Sequence, residues 1–207
     1  MTRSSPPGAV LAALFIASAL PACTAPHVPT RFHALTSAAG DGASEPSRPA
    51  RFISIEPITI PAQVDQPQFI VRQGDGSLVM LEHERWIAPL AEEIHLALAQ
   101  SLQKRLGAID VSRLGVVREE ATRIRVDVKR LDAEYGRRVY LDASWALTPA
   151  VAQASVQTTV CGVSLRQDVG GGYPAIAAGY RALIDQLAAR IAATLETNSG
   201  GAAVCPP

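Results

Sequence analysis

Three cysteines, four histidines and the glutamates Glu82, Glu84, Glu92 and Glu93 are the side chains in this 207-residue sequence whose types and spacing could do chemistry. The histidines are His27, His33, His83 and His95. None has another at i+3 or i+4, and no Cys/His spacing would close a zinc site, so no metal centre is expected. Serine, histidine and aspartate all occur, but no G-x-S-x-G elbow presents a nucleophile. Gly170, Gly171 and Gly172 precede no Lys-Ser/Thr pair and form no G-x-G-x-x-G, so they read as a flexible lead-in to a helix, not a phosphate loop. Glu82, Glu84, Glu92 and Glu93 could be imagined as a carboxylate pair for acid–base work. A structural role explains them better: Glu92 and Glu93 suit the positive end of a helix, and Glu82 and Glu84 alternate on an exposed strand end. Arg123, Arg125 and Lys129 make a basic stripe, which is usually a solvated face and less often a docking surface for an acidic partner or lipid head group. The expectation is a chain with no catalytic residue and no cofactor.

The cysteines say more. They stand at 23, 161 and 205, an odd number that leaves one thiol over in an oxidising compartment. Residues 1–22 have the form of a signal peptide, with Arg3 as the positive region and a 12-residue apolar run, AVLAALFIASAL, that is short for a membrane span. The run ends in Leu20-Pro21-Ala22-Cys23. This resembles a bacterial lipobox, with an aliphatic residue at −3 and a small one at −1; Pro21 departs from it, because a small residue is commoner there. Apolar run, spacing and cysteine together favour lipidation of Cys23 over an ordinary secretory peptide with a spare thiol. Each buried methylene of an acyl chain contributes about 0.8 kcal/mol, so several chains on one residue make a durable anchor. Thr24 stands where Asp would retain a Gram-negative lipoprotein in the inner membrane, which points to the outer membrane and its periplasmic face. Cys161 and Cys205 then remain as an even pair. They are either bridged or two unrelated thiols, and the compartment favours the bridge. It would close a loop of about 45 residues and contribute at most about 4 kcal/mol by chain-entropy arithmetic.

The elements that must hold these groups follow from periodicity. Residues 23–50 are the lipidated N-terminus, a tether and a loop, with 32–35 able to form a short strand and 36–50 too rich in Gly, Ser, Pro and Ala for regular structure. Order is expected from residue 51, where 52–60 is strand-like with Pro57 marking an edge or bulge. Residues 68–72 and 78–82 are short extended runs around the turn-forming 73–77, a hairpin pattern. Residues 89–106 place Leu90, Ile94, Leu98, Leu102 and Leu106 every four positions behind Pro89, the clearest helix. Residues 122–131 and 139–147 alternate apolar and polar, as half-buried strands do, with a turn over 132–138. Residues 155–165 are a third strand, 173–197 a second amphipathic helix, and 199–207 a tail. The fold class expected is α/β: one domain over residues 51–198, a mixed, largely antiparallel sheet with two amphipathic helices packed on it. A hydrophobic fraction of 48% can supply its core.

Composition excludes other classes. There are 19 basic and 19 acidic residues, so the formal net charge is zero; removing the leader takes Arg3 and leaves 18 against 19, a net charge of −1. No basic footprint for nucleic acid exists. Aromatics at 5% argue against stacking platforms for bases or sugars.

Two stretches carry a resemblance. Residues 61–72, PAQVDQPQFIVR, include Asp65, Pro67, Gln68 and Arg72, and residues 85–90, RWIAPL, include Arg85 and Trp86. They are similar to motifs of the ABC-type transport auxiliary lipoprotein family, which includes the paraquat-inducible protein C-like membrane-integrity lipoproteins. Residues 141–147 and 32–35 are weaker matches. Gln63-Val64 and Gln66 depart from the family pattern. The resemblance implies a non-enzymatic accessory subunit that works with a mammalian-cell-entry (MCE) domain protein and an inner-membrane permease complex in lipid transport between membranes. A scaffold or chaperone for an outer-membrane protein is the runner-up. A ring-like homo-oligomer is compatible with a conduit, though no residue demonstrates one. Asp65, Pro67, Gln68, Arg72, Arg85 and Trp86 either fix local structure or line the partner surface, an Arg-Trp pair being typical of interface anchors.

Overall fold

Strict alternation of apolar and polar residues builds the centre of the sheet. In the computed structural model, which describes residues 28–36, 51–115, 119–150, 158–198 and 205–206, the two longest strands pair antiparallel over almost their whole length. The leader, Cys23, the 37–50 loop and residues 199–204 lie outside the described residues. Along the chain come β1 (Arg31–His33), β2 (Arg51–Ile55), β3 (Gln68–Arg72), β4 (Leu78–Trp86), α1 (Leu90–Leu106), β5 (Ala108–Asp110), β6 (Thr122–Glu134), β7 (Arg138–Thr148), β8 (Thr159–Asp168) and α2 (Tyr173–Asn198).

One mixed sheet holds all eight strands. β6 is its spine. Along one edge it pairs antiparallel with β7, which pairs antiparallel with β8. Its other edge takes β2 at the N-terminal end and β3 at the C-terminal end, both parallel. β5 continues beyond β2, and the β3–β4 hairpin carries β1 as its outermost strand. Both helices lie on one face, packed on each other, with α2 over β7 and β8 and α1 against β5 and β2. This is the mixed sheet with two packed helices that the periodicity implies, resolved here as two layers.

The buried face is continuous. Ile124, Val126, Leu141, Trp145 and Leu147 from the sheet meet Ile94, Leu98, Leu183, Leu187 and Ile191 from the helices, each at most 2% exposed. The register of β6 slips between Val128 and Arg130, a bulge at Lys129. The bulge reverses which residues face inward: Val128 before it, Leu131 and Ala133 after it. α1 ends where Gly107 takes φ 63° and its N–H bonds the Gln103 carbonyl at 2.8 Å, a left-handed cap that glycine adopts at no steric cost.

Three expectations change. Arg31–His33, placed above in the tether segment ahead of the domain, is a strand of the sheet. The turn expected over 132–138 shrinks, because β6 runs to Glu134 and β7 starts at Arg138. Asp132 looks like a turn residue, but Arg72 and Arg130 reach its carboxylate at 3.0 and 3.2 Å and hold it within the strand. Glu84 is not on an exposed strand end. The β3–β4 register is irregular next to Gln68, which turns Glu84 inward to 5% exposure, where His33 Nε2 lies 2.6 Å and Arg31 3.6 Å from its carboxylate.

Candidate docking surface

The residues that suggested a function converge on one arm of the sheet, the hairpin β3–β4 with β1 beside it. Beneath the arm is a chain of rings. Phe69 meets Trp86 at 4.2 Å between centroids, His33 meets Phe69 at 4.7 Å, and Trp86 reaches Tyr180 of α2 at 6.1 Å. Burial pushes the Tyr180 phenol well above its ordinary value, with the neighbouring Asp132 carboxylate adding to it. Trp86 is 5% exposed, so its indole ties the arm to α2 and presents no broad surface.

Each other motif residue has a place. Asp65 is exposed and follows a single 3-10 turn, Ala62–Val64, its N–H bonding the Ala62 carbonyl. Pro67 lends its carbonyl to the Trp86 N–H at 2.8 Å, joining the two motifs through the backbone. Gln68 stands opposite Arg85 in the ladder. Arg85 bonds the Glu82 carbonyl at 3.1 Å. Arg72 closes the hairpin: its Nε donates to Asp132 at 3.0 Å and its Nη1 to the Gly76 carbonyl at 2.9 Å. The structure thus brings Pro67, Gln68, Arg85 and Trp86 together at one end of the hairpin and sets Arg72 at the other.

The outward face of the arm carries four exposed large apolar side chains. Phe32, Leu78, Met80 and Ile87 are 58%, 49%, 45% and 59% exposed, and they emerge beside Gln68, Ile70 and Arg85. Exposed apolar side chains scattered singly need no explanation, but several on one face of neighbouring strands fit an interaction surface.

The segment after β1 is clasped by both helices. The Leu35 N–H donates to the Glu93 carboxylate of α1 at 2.7 Å, Arg181 of α2 donates to the Ala34 carbonyl at 3.1 Å, and Leu35 is 1% exposed. Glu93, read above as a helix-dipole residue, therefore also holds the N-terminal strand. No sequence pattern marks that contact, since its partners are 58 positions apart.

A second polar knot sits where α1, β2 and β5 meet. The Asp110 carboxylate accepts from His95 at 2.8 Å, from the Ser112 N–H and hydroxyl, both at 3.0 Å, and from the Ile55 N–H at 3.3 Å. Burial pushes its carboxyl up, but these donors outweigh it and hold it below the usual carboxylate range. The basic stripe divides: Arg125 pairs with Glu56 at 2.6 Å, Arg123 stays exposed, and Lys129 is the bulge residue. Cys161 in β8 is 4% exposed, and its sulfur lies within bonding distance of the exposed Cys205, with the Cα atoms 5.6 Å apart.

A two-layer α/β domain with two helices on one face of a mixed sheet is the class these features define. The chain matches the family described as ABC-type transport auxiliary lipoprotein component over residues 33–192, and it belongs to that family. No curated protein matches it. Among solved structures, an uncharacterised protein superposes with a TM-score of 0.65 at 17% identity, covering 81% of this chain and 99% of its own. A protein from Xanthomonas campestris, assigned to a domain family of unknown function, gives 0.57 at 12% identity, covering 85% and 91%. At these identities the likeness is one of fold.

Proposed function

We propose that the chain is the outer-membrane-anchored accessory subunit of an MCE-type intermembrane lipid transport system, working beside an MCE-domain protein and an inner-membrane permease in support of membrane integrity. Membership of the auxiliary lipoprotein family carries this reading. The signal peptide, Cys23 and Thr24 support an anchor at the periplasmic face of the outer membrane. Its role is non-enzymatic: it binds and positions. The outward face of the β3–β4 hairpin, with Gln68 and Met80, supplies a surface a partner can use. An anchor raises the local concentration of a weak contact, so a modest interface suffices for a tethered subunit.

The test is crosslinking in cells from a photoreactive residue at Met80 or Gln68 of the full lipidated chain. Capture of an MCE-domain protein is the expected outcome. Capture of an outer-membrane β-barrel protein, with no MCE-domain protein, would replace this reading with an assembly role.

A further inference from the structure

The edge of the sheet nearest the anchor in sequence carries a cluster of exposed apolar side chains. β1 is the outermost strand, pairing with β4. Phe32 stands opposite Arg85 in that parallel register, and Ile87, two positions beyond Arg85, donates its N–H to the His33 carbonyl at 2.9 Å. Phe32 and Ile87 therefore emerge side by side on the outward face, and each is more than half exposed. Val28, just before the strand, is 50% exposed. Arg31, on the other face of β1, turns to Glu84 at 3.6 Å.

Chain length limits where this cluster can be. Val28 is five residues from Cys23 and Phe32 is nine. Even fully extended, such spacers reach about 18 Å and about 32 Å. With acyl chains on Cys23, the cluster stays within these distances of the bilayer. Large exposed apolar side chains beside a lipid anchor fit a surface that lies in the head-group boundary.

We propose that Val28, Phe32 and Ile87 rest in the interface of the membrane that holds the lipid on Cys23. This contact fixes the orientation of the domain. The chain runs from Ile87 along β4 back to Leu78, up to about 30 Å at the rise of an extended strand, so the turn at Gln73–Ser77 is held away from the membrane, where a partner can meet it. The inference depends on the lipid anchor and is independent of which transport system the chain serves.

Tryptophan depth quenching tests it. The lipidated full chain is placed in vesicles of phosphatidylethanolamine and phosphatidylglycerol with brominated acyl chains. Single substitutions Phe32→Trp and Ile87→Trp are compared with Val160→Trp, on β8 at the opposite edge, where the native side chain is 67% exposed. The native Trp86 and Trp145, both buried, give a constant background. The added fluorescence at 32 and 87 is expected to be mostly quenched and that at 160 preserved. Adding Phe32→Asp to Ile87→Trp should restore much of the emission at 87. Far-UV circular dichroism checks that each surface variant is folded. Emission at 32 and 87 that bromine leaves untouched, in chains that still float with the vesicles, would overturn the proposal and leave those residues to a protein partner. Equal quenching at all three positions would also overturn it, because the anchored domain would then be tumbling without a fixed face.

Discussion

Asp110 shows how one carboxylate can bind three elements. It gathers donors from α1, from β2 and from the turn after β5, and it is ionised in doing so. Asp110→Ala leaves the buried His95 and the Ile55 N–H without their acceptor. Hydrogen bonds to a charged group are worth about 1.5–3 kcal/mol, so a loss of about 2 kcal/mol in urea unfolding is expected. The pH dependence has a definite sign. The folded Asp110 carboxyl is held below its unfolded value, so its stabilisation is complete above the ordinary carboxylate range, near 4, and fades as pH falls through the lower folded value. The urea midpoint of the native chain should therefore drop from about pH 4 downward, more steeply than that of the variant. A variant that matches the native slope would remove Asp110 from this account. Trp86 gives a second test at this scale. Its indole fills the space between Phe69 and Tyr180, and truncating such a ring costs about 3–5 kcal/mol. Trp86→Ala should lower the melting temperature sharply, whereas a partner-facing tryptophan would leave it unchanged. The type and spacing of Trp86 were visible in the sequence. Its direction was not, because a residue at the end of an irregular strand has no fixed phase.

Elements with a long period were legible, and short ones were not. α1 repeats leucine or isoleucine every four residues over four turns, and its ends fall within one residue of the expectation. β5 has three residues and no alternation to read; it exists because β2 offers it a parallel edge. β1 was visible as a short extended run, but that it belongs to the sheet follows from tertiary contacts with Glu84, Glu93 and Arg181. The seating of α2 on the sheet leads to a further prediction. A Cβ on Gly179 would come 2.5 Å from Val169 Cγ1 and 2.8 Å from Val139 Cγ2. Gly179→Ala gains about 1 kcal/mol of helix propensity and incurs about 1–3 kcal/mol of overpacking. The clash is the larger effect because Val139 is fully buried and cannot step aside. A net loss of about 1 kcal/mol is expected in denaturant titration. The tail is the last element. Cys205→Ala removes the link to β8 and leaves Cys161 as a small buried thiol. It should lower stability by up to about 4 kcal/mol, and the native chain in reductant should match it. Two thiols titrating in the native chain without reductant would show that no bond forms.

For the whole molecule, fold and address are separate. Among the described residues no helix is long and apolar enough to cross a membrane, and the buried core is closed by the sheet and two helices. The acyl chains expected on Cys23 would then carry the attachment, with the edge at Phe32 and Ile87 setting the angle. A few apolar side chains at an interface give weak and reversible binding, while several acyl chains on one residue hold for far longer. Replacing residues 1–23 with a cleaved secretory leader therefore makes a sharp prediction. The chain released from residue 24 onward should reach the periplasm with an unchanged melting temperature, because β1 and its clasp are intact. In cell fractionation it should move from the membrane pellet to the soluble fraction. Sedimentation with the membrane at the native level would mean that protein contacts or the apolar edge hold it there, and the role of Cys23 would have to be abandoned. A lowered melting temperature would place part of the fold before Thr24, against a sheet whose first described strand begins at Arg31.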